Sequence, residues 1–523
     1  MTASFASPTP SSNEKHNAAI DVNSVDEDPP QLTTFQSPIT GEKVVADQAF
    51  ELAQQTGHIE FTKEEDRKLL RKIDLCIQPF MIAVIILQYM DKTTTTAALM
   101  LNFREALGMT GDMYPWVASS FYLGYLVFAF VTSRCLQRFP LSKALAVFIC
   151  LWGIVLTLEA IPNYASFIVW RTALGMFESA VLPGLLFVVG QYYRKEEQLS
   201  RTTFFYCMMG LGNILGNSFA YGLFIHQDTY ALPAWQVCFI TMGPITIAFG
   251  IFYYFFMPDT PANAWFLNER EKAMVVERIR DNQQGFGNPQ WKWSQFKEAM
   301  LDTQTWLMFL FGCCNNIGNG GLQNFSVLLM KGMGFDSRHQ ILMNMPLGAM
   351  QIVGSLVLAY IERLVKSRMT VGTLGAGLYL MGVCMFVYGP NNAVKYAGYV
   401  FTPILLFPGA CVLSCVVSNA AGHTKKLTLN GVSLLGYCVG NLIGPQTFLT
   451  NEEPNYPTGK TTLMVTSSLS VFWMLSLWSL YLYRNWKKEK LVGTEVYEKF
   501  KAMDNVEFGD FTDKENPLFR YSW

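Results

Sequence analysis

The chain has 523 residues, 51% of them hydrophobic and only 15% charged, with a formal net charge of −1. A soluble domain carries nearer a quarter charged residues, so this chain has too little polar surface to face water everywhere. The near-neutral balance excludes a nucleic-acid partner, which would require a basic surface.

Residues 1–62 are polar, rich in Ser, Thr, Asn, Asp and Pro, and lack the apolar run of a secretory leader. They are expected to form a disordered tail. The charged stretch Lys63–Lys72 leads into the first of twelve apolar stretches of membrane-spanning length, at about 75–98, 113–134, 141–160, 164–193, 201–224, 234–257, 304–330, 338–361, 369–390, 394–419, 427–450 and 461–484. The pattern predicts an all-α polytopic membrane protein built as two six-helix bundles, 63–257 and 304–486, joined by a hydrophilic loop, 258–303, and followed by a polar tail, 487–523.

Basic residues fall on one side of this arrangement. Arg67, Arg71 and Lys72 precede the first stretch; Arg134, Arg138 and Lys143 follow the second; Arg194, Lys195 and Arg201 follow the fourth. The central loop, Arg363, Lys366 and Arg368, Lys425 and Lys426, and Arg484, Lys487 and Lys488 continue the series. The opposite loops hold only Arg104, Lys331, Arg338, Lys395 and Lys460. Positive residues favour the cytoplasm, so both termini are expected inside; the expected location is the plasma membrane.

Charges at bilayer depth cost at least a few kcal/mol each and mark interiors or wet paths. The first stretch carries Asp91 and Lys92 within Gln88-Tyr-Met-Asp91-Lys92, and the fourth carries Arg171, Gly175 and Glu178. Seven residues turn a helix through roughly 700°, so Arg171 and Glu178 share a face, about 10 Å apart along the axis. Depth then pairs Asp91 with Arg171 and brings Lys92 near Glu178. The competing reading is two ion pairs that only fix helix packing.

The second half presents neutral hydrogen-bonding stripes: Asn316, Asn319 and Gln323 on the seventh stretch, and Asn430, Tyr437 and Asn441 on the eleventh. They suit either a substrate path or interhelical bonding. Gly212 and Gly216, and Gly436, Gly440 and Gly444, read as small-residue packing stripes rather than nucleotide loops. No Walker A sequence, HExxH or other cofactor or metal motif is present, and the 11 cysteines form no CxxC pair, reading as small buried side chains.

The chain resembles the anion:cation symporter family of the major facilitator superfamily, and within it the fungal allantoate permease group. The resemblance runs from about Phe61 to Lys490, on Tyr89-Met-Asp91-Lys92, Leu136-Gln-Arg138-Phe-Pro140, Arg171 with Gly175 and Glu178, and Pro183-Gly184. Gln191-Tyr-Tyr193, Pro258-Asp-Thr-Pro261, Asn282-Gln-Gln-Gly285-Phe-Gly287 and Gly440-Asn-Leu-Ile-Gly444-Pro-Gln446 complete it. It implies the major facilitator fold with 12 transmembrane helices and proton-driven import of a small organic anion, such as allantoate or ureidosuccinate, by alternating access. It further implies Asp91 and Glu178 as proton carriers, and Arg171 with Lys92 as substrate-binding cations. Lysine stands at 92 where relatives have arginine, which keeps the charge but loses the bidentate fork. A vitamin-type monocarboxylate (nicotinate, pantothenate or biotin) and a nutrient sensor without net transport are the alternatives. The chain is expected to act as a monomer with no cofactor.

Overall fold

The computed structural model describes residues 34–36, 43–45, 61–280, 291–495, 497–498 and 512–523. Residues 1–48 form a unit of their own, within which Thr34–Gln36 pairs antiparallel with Lys43–Val45. The rest of the tail expected over residues 1–60 lies outside the described residues; the two strands are Thr-Phe-Gln and Lys-Val-Val. β-Branched and aromatic residues favour strands even where so short a pair is marginal alone. The motif at 282–287 lies outside the described residues.

The rest is helical. The first half contains Lys63–Ala98, Met113–Arg138, Leu141–Leu158, Tyr164–Glu178 continued by Val181–Tyr192, Lys195–Ile225 and Ala234–Phe256. The second contains Thr303–Gly332, Met345–Val365, Arg368–Tyr388, Asn392–Phe401 continued by Leu406–Ser418, His423–Gln446 and Pro457–Glu489. These twelve segments are called the first to twelfth spans below. Ten are long and apolar enough to cross a membrane. The fifth and seventh are long enough but more polar, the seventh through Asn315, Asn316, Asn319, Gln323 and Asn324.

Helix starts and breaks follow from particular residues. Thr62 caps the first span, accepting from the Glu65 amide while the Glu65 carboxylate accepts from the Thr62 amide, so the helix begins well before the apolar run. Pro183 has no N–H to offer the Ser179 carbonyl and its ring crowds that turn, so the fourth span breaks there. The tenth span breaks beside Pro403 for the same reason. Asp259 of the Pro-Asp-Thr-Pro block accepts from the amides of Ser142 and Lys143, closing the start of the third span.

Close helix approach depends on absent side chains. A Cβ on Gly440 would strike the Cys313 carbonyl of the seventh span, and one on Gly216 would strike Thr93 of the first. The glycine stripes thus let backbones meet, as the small-residue pattern predicts.

The two halves are joined at the face opposite the basic loops. Arg104 pairs with Glu453 at 3.0 Å, the Tyr114 hydroxyl donates to the Asn324 carbonyl at 2.8 Å, Gln446 donates to Ser119 at 2.9 Å, and Thr450 donates to the Gly111 carbonyl at 2.8 Å. At the basic face the named ion pairs stay within one half. The helix Glu269–Arg280 is held to the first half by Lys72–Glu271 at 2.6 Å and by Arg278 with Asp66 and Glu197 at 2.7 and 2.6 Å. The helix Trp293–Met300 is held to the second by Glu298–Lys425 at 2.8 Å.

Residues Thr512–Trp523, expected to be plain tail, pack on the second half. Asp513 is fully buried, 2.7 Å from Lys425, and accepts from the Tyr521 hydroxyl at 2.6 Å. Tyr521 stacks on Tyr481, and Asn419 exchanges two hydrogen bonds with the backbone of Ser522. Beside Asp513, Asp302 meets Arg484 and Lys425. Burial raises the Asp302 carboxyl, but these cations outweigh it and hold it down to about 2.

Candidate functional site

Helix direction explains how charged residues from three spans converge. Side chains lean toward the start of their own helix. The fourth span runs from the opposite face toward the basic face, so Arg171 and Glu178 lean toward the opposite face. The first and third run the other way, so Asp91, Lys92 and Glu159 lean to meet them.

Asp91, Arg171 and Glu178 are buried, and Glu159, just past the end of the third span, is fully so. Arg171 Nη1 stands 3.8 Å from Asp91 Oδ1 and 3.3 Å from Glu159 Oε2. Lys92 Nζ stands 3.3 Å from Glu178 Oε1, which also accepts from the Gln88 amide at 2.7 Å. The Trp152 indole N–H donates to Asp91 Oδ2 at 2.8 Å. Phe121 lies between the two cations, its ring centroid 5.4 Å from the Arg171 guanidinium and 5.6 Å from the Lys92 ammonium. Tyr89 adds a second ring beside Lys92 at 5.4 Å. Arg171 Nε and Glu178 Oε2 are buried without a hydrogen-bond partner.

The structure therefore brings Asp91, Lys92, Arg171 and Glu178 into one cluster. Sequence reasoning missed Glu159, Trp152 and Gln88 as members. Glu159 carried a usable signal, since it is the only acidic residue in the third predicted stretch. Trp152 carried none, because an indole in an apolar helix is ordinary core.

In the second half, Asn319 donates to Asn441 Oδ1 at 2.9 Å, and Asn441 donates to Asn316 Oδ1 at 3.3 Å. This trio links the seventh and eleventh spans. The Tyr437 ring centroid stands 6.1 Å from those of both Tyr122 and Tyr125. Gln323 meets the first half through its backbone carbonyl, which accepts from Thr96 at 3.2 Å. Asn430 is exposed, away from the trio. Among the described residues no group of three acidic, His or Cys side chains is placed to hold a metal ion.

A bundle of apolar helices that converges five ionisable side chains between its spans has the build of a membrane transporter. The chain belongs to the Major Facilitator Superfamily, whose family model matches residues 81–445; this is a family of transporters, not of enzymes. The chain is 39% identical over 515 residues to the allantoate permease of Saccharomyces cerevisiae, covering 94% of each chain. It is 33% identical over 462 residues to the thiamine pathway transporter of the same yeast, covering 87% of this chain and 86% of that one. In fold it matches the proton:xylose symporter XylE with a TM-score of 0.59 at 12% identity, over 77% of this chain and 95% of that one. It also matches a bacterial homologue of the human lysosomal transporter Spinster, in an inward-facing conformation, with a TM-score of 0.54 at 13% identity, over 78% and 96%.

Proposed function

We propose that this protein is a proton-coupled importer of a small organic anion of the allantoate and ureidosuccinate class, working in the plasma membrane by alternating access. The observation that carries the proposal is the buried cluster in which Arg171 and Lys92 are held by carboxylates that a proton can neutralise. The share of sequence held in common with a named allantoate permease supports the substrate class. The excess of basic residues in one set of loops supports termini in the cytoplasm, with the face closed by Arg104–Glu453 outside.

In this reading Asp91 and Glu178 carry the proton. Protonation weakens their hold on Arg171 and Lys92, whose freed charges take the substrate carboxylate. The amides of Asn316, Asn319 and Asn441, with Gln323 and the Tyr437 hydroxyl, form the neutral wall that meets ureide N–H and C=O groups. The loaded, neutralised site then passes to the other face, because proton and substrate bind the two states unequally.

The aromatic wall favours a second reading. Tyr89 and Phe121 beside Lys92, with Tyr437 against Tyr122 and Tyr125, also suit a flat aromatic monocarboxylate such as nicotinate. The deciding experiment is uptake of radiolabelled allantoate, at acidic and at neutral external pH, in cells lacking their own permease. Faster uptake in acid, abolished by Glu178→Gln in protein still present at the surface, is the expected outcome. Absence of uptake, with nicotinate carried instead, moves the assignment to the aromatic acids. Wild-type rates in the variant refute a coupling role for Glu178.

A further inference from the structure

We propose that Glu159 is a third coupling carboxyl, the one that holds the network's resting proton and passes Arg171 to Asp91; the inference rests on the proton-coupled reading above. The first argument is charge. Asp91, Glu159 and Glu178, all buried, face only buried Arg171 and partly exposed Lys92, leaving one negative charge in excess. An uncompensated buried ion costs several kcal/mol, and a carboxyl in that position takes up a proton instead.

Local bonding selects the proton's place. Glu178 is matched by Lys92 and receives the Gln88 amide. Asp91 receives the Trp152 indole N–H, a donor that favours its ionised form. Glu159 has Arg171 alone, through one nitrogen at 3.3 and 3.5 Å, and shares that nitrogen with Asp91. The charged groups within its reach are Arg171, Asp91 and Glu178. The sixth span packs along the third and carries no acidic or basic residue over Ala234–Phe256. Its Gln236 instead donates to the Ala160 carbonyl, fixing the turn beside Glu159.

Position supplies the third argument. Glu159 is followed by Ala160 and then by exposed Ile161, Pro162 and Asn163, so it is the carboxyl of the cluster nearest the outer loop in sequence. A proton from external water adds to a Glu159 oxygen, forming an O–H bond and releasing the carboxylate's hold on Arg171. The guanidinium then belongs to Asp91. When the Glu159 O–H bond breaks and its proton passes to water, Arg171 returns to the Glu159 carboxylate, and Asp91 is free to accept a proton. Glu159 and Asp91 therefore alternate over one cation, which is free for the substrate only while both carry protons.

The test begins with purified protein and needs no substrate. Infrared spectra at neutral pH should show a protonated-carboxyl C=O band that shifts in heavy water, lost in Glu159→Gln and retained in Asp91→Asn. A band that survives in Glu159→Gln, or no band in the wild type, overturns the proposal. In cells, labelled allantoate is the probe. Glu159→Gln should lose the difference between acidic and neutral uptake, whereas a uniform fall at both pH values, the mark of mere packing, overturns it. If wild-type protein carries no allantoate, the substrate assignment fails while the infrared result still decides the role of Glu159.

Discussion

Lys92 shows how far helical spacing reads a site. Its neighbourhood with Glu178 followed from two intervals and a topology, because rise and rotation per residue are fixed by the helix. The single Lys92 contact at 3.3 Å replaces the fork that arginine would give. Removing one member of a buried pair leaves the other uncompensated, at about 3–5 kcal/mol. Lys92→Met should therefore lower the melting temperature of solubilised protein sharply. Adding Glu178→Gln should restore the melting temperature but not uptake. Equal melting of the single and double variants would show that the two charges are not coupled. Sequence spacing could not assign Trp152 to Asp91, since an indole's partner depends on how the third span is rotated against the first. Nor could it tell that Asn316, Asn319 and Asn441 bond to one another before any ligand is considered.

Among the elements, the spans were legible because lipid requires long apolar helices with internally satisfied backbones. The broken fourth and tenth spans were each read as one stretch, although Pro183 and Pro403 were in view. Least legible was the segment Thr512–Trp523. It is short and polar, and its order comes from tertiary partners that no local pattern encodes: Lys425 for Asp513, Tyr481 for Tyr521 and Asn419 for Ser522. Asp302 ties this region to Arg484 and, through Lys514, to the segment itself. Its carboxyl is held at about 2, below its ordinary value, so it supports the folded region fully above the unfolded value of about 4. That support is lost as pH falls through about 2. Hydrogen exchange at Thr512–Trp523, corrected for its intrinsic rate, should accelerate across this acid window and stay flat above it. Acceleration already near neutral pH would assign the docking to other groups.

For the whole molecule, the direction in which it faces is the property a sequence hides most completely, because one chain must encode both states. The hydrogen bonds of Tyr114, Ser119 and Thr450 show which face is shut here. Glu453 joins Arg104 and Lys331 at this seam. Burial raises its carboxyl, but the hydrogen bonds from Arg104 and Lys331 outweigh that and hold it below the usual range. The pair is thus intact above the ordinary carboxylate value, and mild acid leaves it closed. Glu453→Gln should loosen the seam. A cysteine placed at buried Ser119 should then be labelled faster by an impermeant thiol reagent than in the parent. An unchanged labelling rate would show that the apolar contacts alone keep this face shut.

The unequal placement of ion pairs makes the two half-cycles differ in kind. Reopening the shut face breaks Arg104–Glu453, a partly exposed pair of the sort that ionic strength screens. At the basic face the pairs formed by Lys72, Arg278 and Lys425 each lie within one half, so movement of the halves there breaks none of them. Added salt should therefore speed one stroke of the cycle and leave the other at its own pace, so the ratio of the two rates becomes a function of the medium bathing the Arg104–Glu453 face.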